Sequence, residues 1–269
     1  MSTLDDAAAQ PRGYNYDEAK VPKYELPNPL VCLDGTKVTS TETWWKKRRP
    51  EILRLFEEEV YGRAPDKPNA MRFEVVEKGS DALNGKAVRR QIVIHLGKGD
   101  KALAVNLLLY LPKKAKRAVP GFLTLNFRGN HTTNADPAIR IPTSWVRNGH
   151  GAKDNKATAA GRGGSASRWA IEAIISRGYA FGTIYYGDID PDFHDGYENG
   201  IHPLFPPKNP NKRKPTDWAS IAGWAWGLSR ALDYLETDAG VDAKRIAVMG
   251  HSRLGKTSLW AGAADERFA

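Results

Sequence analysis

The feature that most constrains the fold of this 269-residue chain is an eight-residue motif placed between an apolar strand and a helix. The motif reads GHSRLGKT over residues 250–257, with apolar residues 245–249 before it and the helical pattern of residues 257–261 after it. It fits the phosphate-binding pattern G-x-x-x-x-G-K-[ST]. It also fits a sharp turn that presents Ser252 as a hydrolase nucleophile. Either chemistry requires a strand, a turn and a helix, so the motif predicts an α/β fold.

Hydrophobic periodicity along the rest of the chain predicts one sheet with helices on both faces. Strands are predicted at residues 72–76, 88–96, 102–111, 119–127, 179–186 and 245–249. Helices are predicted at residues 41–62, 168–177 and 216–237, the last with Thr216 as its N-cap, and again after residue 257. Because antiparallel candidates come first and strand–helix alternation follows, we expect a mixed, mostly parallel sheet in a three-layer α/β sandwich.

The same pass along the chain predicts its domain organisation. Four prolines fall within twenty residues near the start, so we expect an N-terminal arm over residues 1–40 and one α/β domain over residues 41–269. Two long loops, residues 129–167 and 187–215, interrupt that domain. Loops of this length in a compact domain are often functional, so we expect them near a site.

Composition excludes several classes of function. Cys32 is the only cysteine, so an intrachain disulfide and a cysteine-based metal site are impossible. The charge of +9 comes from 40 Lys and Arg against 31 Asp and Glu, but no nucleic-acid-binding signature accompanies the basic clusters. No apolar run reaches the ~18 residues of a membrane helix, and the first residues lack the basic and apolar regions of a signal peptide. We predict no nucleic acid or membrane partner, and interpret the basic clusters as solvated surface or as an attraction to acidic polysaccharide.

The position of the motif disfavours phosphate binding. That chemistry needs Mg²⁺, held by Thr257 and by an aspartate at the end of another apolar strand. Only twelve residues follow Thr257, and the upstream candidate, Asp188, would invert the usual order. The nucleophile alternative departs from G-x-S-x-G because Leu254 takes the last glycine position, and we expect Gly255 to ease the packing of the helix instead. In a third alternative Ser252 is only a helix cap.

The heptapeptide GHSRLGK at residues 250–256 resembles the nucleophile motif G-[CH]-S-R-x-G-K of the glucuronoyl esterases, carbohydrate esterase family 15. His251 is the form found in bacterial members. The similarity also includes residues 125–131, 188–202, 216–226 and 241–246, so it covers roughly residues 40–269. The resemblance implies an α/β-hydrolase fold.

The resemblance also implies a serine esterase that cleaves the ester between (4-O-methyl)glucuronic acid of xylan and lignin alcohols through an acyl-enzyme. Ser252 would be the nucleophile, and Arg253 would stabilise the oxyanion with its backbone N–H and its side chain. Lys256, one helical turn later, would bind hydroxyls of the uronic acid. We expect a secreted or periplasmic monomer, with the glucuronoxylan–lignin ester as its partner and with no cofactor.

The hydrolase triad is incomplete within this sequence. Its usual chain order is serine, acid, histidine, yet all six histidines precede Ser252 and the acids after it are Asp265 and Glu266. We therefore expect the catalytic acid and base beyond Ala269, a domain truncated after the nucleophile helix, and no activity from this segment alone.

Other functions remain open at this stage. Another serine esterase of the same fold, such as an acetyl esterase, would also use Ser252. A noncatalytic polysaccharide-binding protein would use the eight tryptophans and the basic charge, and a nucleotide-binding protein would use the phosphate loop. The acidic loop at residues 188–192 lacks the EF-hand pattern, since Phe193 and Asn199 replace its glycine and glutamate, so we predict no metal.

Overall fold

Eight extended segments form the strands of the protein, and six of them build one central sheet. The computed structural model describes residues 13–99, 102–206, 213–214 and 216–269. Within these ranges the strands are β1 (Met71–Ala82), β2 (Ala87–Leu96), β3 (Leu103–Pro112), β4 (Val119–Asn126), β5 (Ala152–Lys153), β6 (Lys156–Ala157), β7 (Ala180–Tyr185) and β8 (Val241–Met249). The central sheet has the order β1-β2-β3-β7-β4-β8, and β5 pairs with β6 in a separate two-stranded sheet.

The central sheet is mixed, as the sequence predicts. The pairings β1–β2, β2–β3 and β3–β7 are antiparallel, whereas β7–β4 and β4–β8 are parallel. Every residue of β7 is buried, as expected for a strand covered on both faces. The parallel pairings therefore lie where the sequence alternates strand and helix.

The described ranges contain five α-helices. They are α1 (Thr41–Thr43), α2 (Arg49–Phe56), α3 (Ile171–Ser176), α4 (Ser220–Leu235) and α5 (Arg253–Ala264), with π-helical turns at Trp44–Arg48 and Glu57–Tyr61. The helix predicted at residues 168–177 is shorter than expected, because Arg168 ends a separate 3-10 turn and Trp169 is extended. In the part of the chain that the structure describes, no helix has the length and apolar character to cross a bilayer.

Helix α4 confirms a predicted element but corrects its cap. The predicted N-cap, Thr216, is wrong: α4 begins at Ser220 after Ala219, whose side chain makes no capping hydrogen bond. Most of α4 is buried, and its small residues permit close approach. A Cβ atom on Gly227 would overlap the side chain of Ile189, so this position requires glycine.

Separate apolar cores cover the two faces of the central sheet. Along β3, Leu107 and Leu109 belong to the core that includes α4 and α5 residues, whereas Leu108 and Tyr110 belong to the core that includes Ile171 of α3. This alternation is the period of two that a strand imposes. The predicted three-layer α/β arrangement is therefore confirmed.

The chain separates into two compact units, the first ending at Glu51 and the second running from Ile52 to Ala269. In the first, Ser40 caps α1 by accepting the Thr43 N–H at 3.1 Å, and the buried Arg48 donates to the carbonyl of Pro29 at 2.9 Å. The sheet and the motif at residues 250–257 belong to the second. The predicted arm over residues 1–40 and domain over residues 41–269 stay predictions.

Parallel strands bring the ends of three segments to one edge of the sheet. The strands β4, β7 and β8 are adjacent and run in the same direction, so the residues that follow Asn126, Tyr185 and Met249 emerge together. In open α/β sheets, ligands bind at this carboxyl edge. The candidate site is therefore built from residues 126–133, 186–202 and 250–257.

Candidate active site

Ser252 lies on a strained turn between β8 and α5. Its backbone has φ 56° and ψ −128°, a conformation that residues other than glycine rarely adopt. Such a conformation costs on the order of 1–3 kcal/mol and persists only where the surroundings enforce it. The Ser252 side chain makes no capping hydrogen bond to α5 and is exposed. The alternative in which Ser252 is only a helix cap is therefore wrong.

Gly250 explains how the chain enters this turn. A Cβ atom at this position would overlap the carbonyl oxygen of Leu254 and lie 2.6 Å from Ser258 Oγ. Gly255 behaves differently, since a Cβ atom there would lie 3.4 Å from its nearest described neighbour, the carbonyl oxygen of Gly250. That is ordinary contact. The prediction that Gly255 eases the packing of the helix is therefore wrong, and Gly250 alone fills the close-approach role.

The first turn of α5 leaves one backbone donor available beside Ser252. The N–H of Leu254 donates to the carbonyl of His251 at 3.0 Å, and those of Gly255 and Lys256 donate to the carbonyl of Ser252 at 2.9 and 3.1 Å. Arg253 is the first residue of α5, where an N–H has no partner inside the helix. Within the described residues, its N–H is the free donor of this turn, at the position from which hydrolases stabilise an oxyanion.

The side chain of Arg253 forms an ion pair with Asp192. Arg253 Nη1 donates to Asp192 Oδ2, and the same oxygen accepts hydrogen bonds from Arg147 Nη2 and the Tyr186 hydroxyl, both at 3.3 Å. Burial, followed by the charge of Asp192, raises the pKa of Tyr186 above its usual range. The hydroxyl therefore stays protonated at neutral pH and acts as a donor. Lys256 is exposed one turn further along α5.

The loop after β4 contacts the nucleophile turn through aromatic rings. Phe127 meets His251 edge to face, with 6.4 Å between ring centroids, and meets Tyr186 at 5.8 Å. Asn126 anchors the base of this loop, since its Oδ1 accepts the N–H of Gly129 at 2.8 Å. In the hydrolase fold, the loop after the equivalent strand supplies a second oxyanion donor.

A buried polar network lies beneath these loops. Asn126 Nδ2 donates to Asn130 Oδ1 at 2.7 Å, and Asn130 Nδ2 donates to the backbone carbonyl of Asn106 at 2.7 Å. Asp188 accepts from Asn106 Nδ2 at 2.9 Å, from the Asn106 N–H at 3.0 Å and from Ser144 Oγ at 2.5 Å. Burial raises the pKa of Asp188 above its usual range, against these three hydrogen bonds.

The phosphate-loop alternative conflicts with this geometry. Thr257, its Mg²⁺ ligand, is buried, and its hydroxyl donates to the carbonyl of Arg253 at 3.0 Å. Asp188, its candidate acid, is engaged with Asn106 and Ser144. Among the described residues, no group of three or more His, Cys, Asp or Glu side chains could hold a metal ion.

The histidines nearest to these loops, His131 and His202, pack against other side chains and not against Ser252. His131 is buried, and burial and then the charge of Arg162 lower its pKa to about 4. His202 stacks on Trp218 at 4.4 Å, with its Nε2 3.5 Å from Asp190. Within the described ranges, no histidine is hydrogen-bonded to Ser252. Among the described residues, the structure places Ser252, Arg253 and Lys256 in one turn with no histidine base bonded to the serine.

Sequence reasoning missed Asp192, Arg147 and Tyr186 as part of the site. The sequence assigns residues 188–192 to a long loop without a metal and ends a strand at Tyr186. The available signal was loop length, because Arg147 and Asp192 lie in the two long loops that the sequence predicts near a site.

Comparisons with known proteins include several glucuronoyl esterases. A family model described as glucuronyl esterase of fungi matches residues 213–269. A carbohydrate esterase of an unknown prokaryotic organism is 53% identical over 266 residues, covering 98% of this chain and 61% of that protein. A glucuronoyl esterase from Solibacter usitatus has a solved structure with a TM-score of 0.86 at 45% identity, covering 93% of this chain and 63% of the other. The predicted resemblance to the glucuronoyl esterases is confirmed.

The similarity extends to more distant glucuronoyl esterases. A 4-O-methyl-glucuronoyl methylesterase from Schizophyllum commune is 25% identical over 248 residues, covering 91% of this chain and 48% of that protein. The glucuronoyl esterase structure from Sporotrichum thermophile, 22% identical with a TM-score of 0.53, supports the α/β-hydrolase fold alone. The chain spans about three fifths of the length of its more similar relatives.

Proposed function

We propose that the complete protein is a serine esterase of the glucuronoyl esterase type, which cleaves the ester between (4-O-methyl)glucuronic acid of xylan and lignin alcohols. The observation that carries the proposal is the turn itself: Ser252 is exposed at a strained φ of 56°, directly before the free N–H and the guanidinium of Arg253. The resemblance to named glucuronoyl esterases supports the choice of ester.

In this mechanism, Ser252 Oγ attacks the uronoyl carbonyl carbon while a base takes the hydroxyl proton. The carbonyl oxygen becomes an oxyanion, which accepts hydrogen bonds from the Arg253 backbone N–H and guanidinium. One such donor is worth about 3–4 kcal/mol in the transition state. Collapse expels the lignin alcohol, which takes a proton from the base, and leaves an acyl-enzyme on Ser252. Water then attacks the acyl carbon, releases the uronate and restores the hydroxyl.

Two features support a uronic acid substrate. Lys256 is exposed on α5 one turn after Ser252, and its ammonium group can donate hydrogen bonds to the hydroxyls of a sugar. The chain carries a formal charge of +9, which attracts an anionic polysaccharide such as glucuronoxylan at low ionic strength. We further propose that the protein is secreted or periplasmic and acts as a monomer.

The test is turnover of benzyl glucuronate by the complete protein, with and without Ser252→Ala. We expect the substitution to lower kcat by at least about 10⁴-fold, because removal of a hydrolase nucleophile leaves only oxyanion and binding effects. An unchanged melting temperature shows that the fold is retained. If the variant hydrolyses benzyl glucuronate at the parental rate, Ser252 is not the nucleophile.

A broader ester specificity is the second candidate. A solved structure that is 52% identical to this chain, with a TM-score of 0.86 and 64% of that chain covered, is described as a promiscuous esterase of carbohydrate esterase family 15 from the marine bacterial metagenome. Comparison of kcat/KM for benzyl glucuronate and for a simple acetate ester separates the candidates. A preference for acetate would assign the protein to general ester hydrolysis.

A further inference from the structure

The Asp192 carboxylate, beside the proposed nucleophile, accepts hydrogen bonds from three donors. Asp192 Oδ2 accepts from Arg253 Nη1, Arg147 Nη2 and the Tyr186 hydroxyl, and Arg147 Nη2 also reaches the Asp192 backbone carbonyl at 3.3 Å. The side chain of Asp192 is 20% exposed, whereas that of Arg253 is 45% exposed. Charge-assisted hydrogen bonds of this kind are shorter and stronger than neutral ones.

The position of Asp192 is fixed from beneath. The ring of Tyr186 is buried and meets Trp224 edge to face, with 4.9 Å between centroids. The indole N–H of Trp224 donates to the backbone carbonyl of Asp190 at 2.8 Å. Two residues earlier, Asp188 is buried against Asn106. The segment that carries Asp192 is therefore attached at residues 186, 188 and 190, and the carboxylate is a rigid partner for a half-exposed arginine.

This ion pair has a chemical consequence if the protein cleaves uronate esters. The reacting ester group is neutral, its transition state carries an oxyanion, and the released product is a carboxylate. A guanidinium without a counter-ion binds a carboxylate through two parallel hydrogen bonds. An arginine that holds the product this strongly favours the ground state of the product over the transition state. Asp192 accepts the hydrogen bond of Arg253 Nη1 and places a negative charge beside the guanidinium, while the other N–H groups of the guanidinium can still donate to the oxyanion.

We propose that Asp192 is a positioning residue that orients the Arg253 guanidinium toward the oxyanion and weakens its binding of the carboxylate product. The inference rests on the proposed esterase function. Tyr186, which is buried, and Arg147, which is exposed, act with it, because both donate hydrogen bonds to the Asp192 carboxylate.

The test replaces the charge and retains the shape. In the complete protein, Asp192→Asn is expected to lower kcat for benzyl glucuronate about tenfold, since a guanidinium free to move is misplaced for the oxyanion. In the Ser252→Ala background, where no turnover interferes, the same change is expected to lower the calorimetric Kd of glucuronate roughly threefold to tenfold. Asp192→Glu keeps the charge and should keep the weak product binding. A purely structural role for Asp192 would weaken product binding or leave it unchanged.

The control is Asp242→Asn, which removes a carboxylate paired with Arg245 at 2.7 Å on β8 and should change neither quantity. Asp192 must act through Arg253, so the gain in glucuronate affinity should disappear in Arg253→Ala. Persistence of the gain without Arg253, or its absence from Asp192→Asn, overturns the inference. Failure of the esterase proposal would look different, because the parent would not hydrolyse benzyl glucuronate while its glucuronate affinity still responded to Asp192.

Discussion

The exposed turn at residues 250–256 and the buried polar network beneath it solve opposite problems. Ser252, Arg253 and Lys256 are exposed, and the turn leaves a backbone donor and a nucleophile available. Asn130 and Asp188, by contrast, are buried and hydrogen-bonded. A reactive group must keep unused bonding capacity, whereas a supporting group must not, because an unpaired buried polar group costs about 1–3 kcal/mol. The contrast indicates that the buried, hydrogen-bonded residues hold the exposed turn in its position.

Among the substitutions that test the supports of the turn, the largest effect is expected from Gly250→Ala, at the point where the chain enters the turn. The added methyl group would overlap the Leu254 carbonyl oxygen in the first turn of α5, and backbone cannot move aside cheaply. We expect a loss of about 1–3 kcal/mol in the free energy of unfolding from overpacking. Displacement of Ser252 by about 1 Å should lower kcat roughly 10²-fold. Denaturant unfolding and benzyl glucuronate kinetics measure both, and parental values for both would show that the turn is not crowded.

The next largest effect concerns a buried residue, His131, and the dependence of the free energy of unfolding on pH. Burial lowers the pKa of His131 to about 4, whereas the same imidazole in the unfolded chain has a pKa of about 6.5. Between these pH values the imidazole is neutral in the folded protein and binds a proton in the unfolded chain. The contribution of His131 to the free energy of unfolding is therefore fully present above about pH 6.5 and is lost as the pH falls toward 4. Between pH 8 and pH 5 we expect this histidine to remove about 2 kcal/mol of unfolding free energy.

The measurement is urea unfolding at several pH values for the parent and for His131→Gln. The variant retains a hydrogen-bonding side chain but has no titrating ring, so its unfolding free energy should fall less between pH 8 and pH 5. If the free energy of unfolding depends on pH in the same way in both proteins, His131 does not cause the loss of stability at low pH.

The sequence predicted the exposed turn better than the buried network. The motif at residues 250–257 is local: an apolar strand, a glycine and a helical pattern follow one another, so the strand–turn–helix and the place of Ser252 could be derived. The hydrogen bond between Asn106 and Asp188 joins residues 82 positions apart, and no periodicity reports such a pair. Thr216 failed as a cap because local propensity could not reveal that the chain stays non-helical until Ser220.

Asp192 shows the limit most clearly. Residues 188, 190 and 192 are aspartates within five residues of one long loop, and their composition alone indicates a turn or a metal-binding loop. Their tasks separate only in three dimensions, where Asp188 is buried, Asp190 offers its carbonyl to Trp224 and Asp192 meets Arg253. The order of the sheet, in which β4 lies between β7 and β8, decides which loops meet.

The smallest expected effect, Gly255→Ala, sharpens the comparison within the turn itself. A Cβ atom here would lie 3.4 Å from the Gly250 carbonyl oxygen, which is ordinary contact, and the residue is helical. Alanine is favoured over glycine in helices by about 0.5–1 kcal/mol, so the variant should melt roughly 2 °C higher. Its kcat for benzyl glucuronate should match the parent, because α5 and Ser252 do not move. A stability loss comparable to that of Gly250→Ala would show that both glycines, rather than Gly250 alone, are required for the turn.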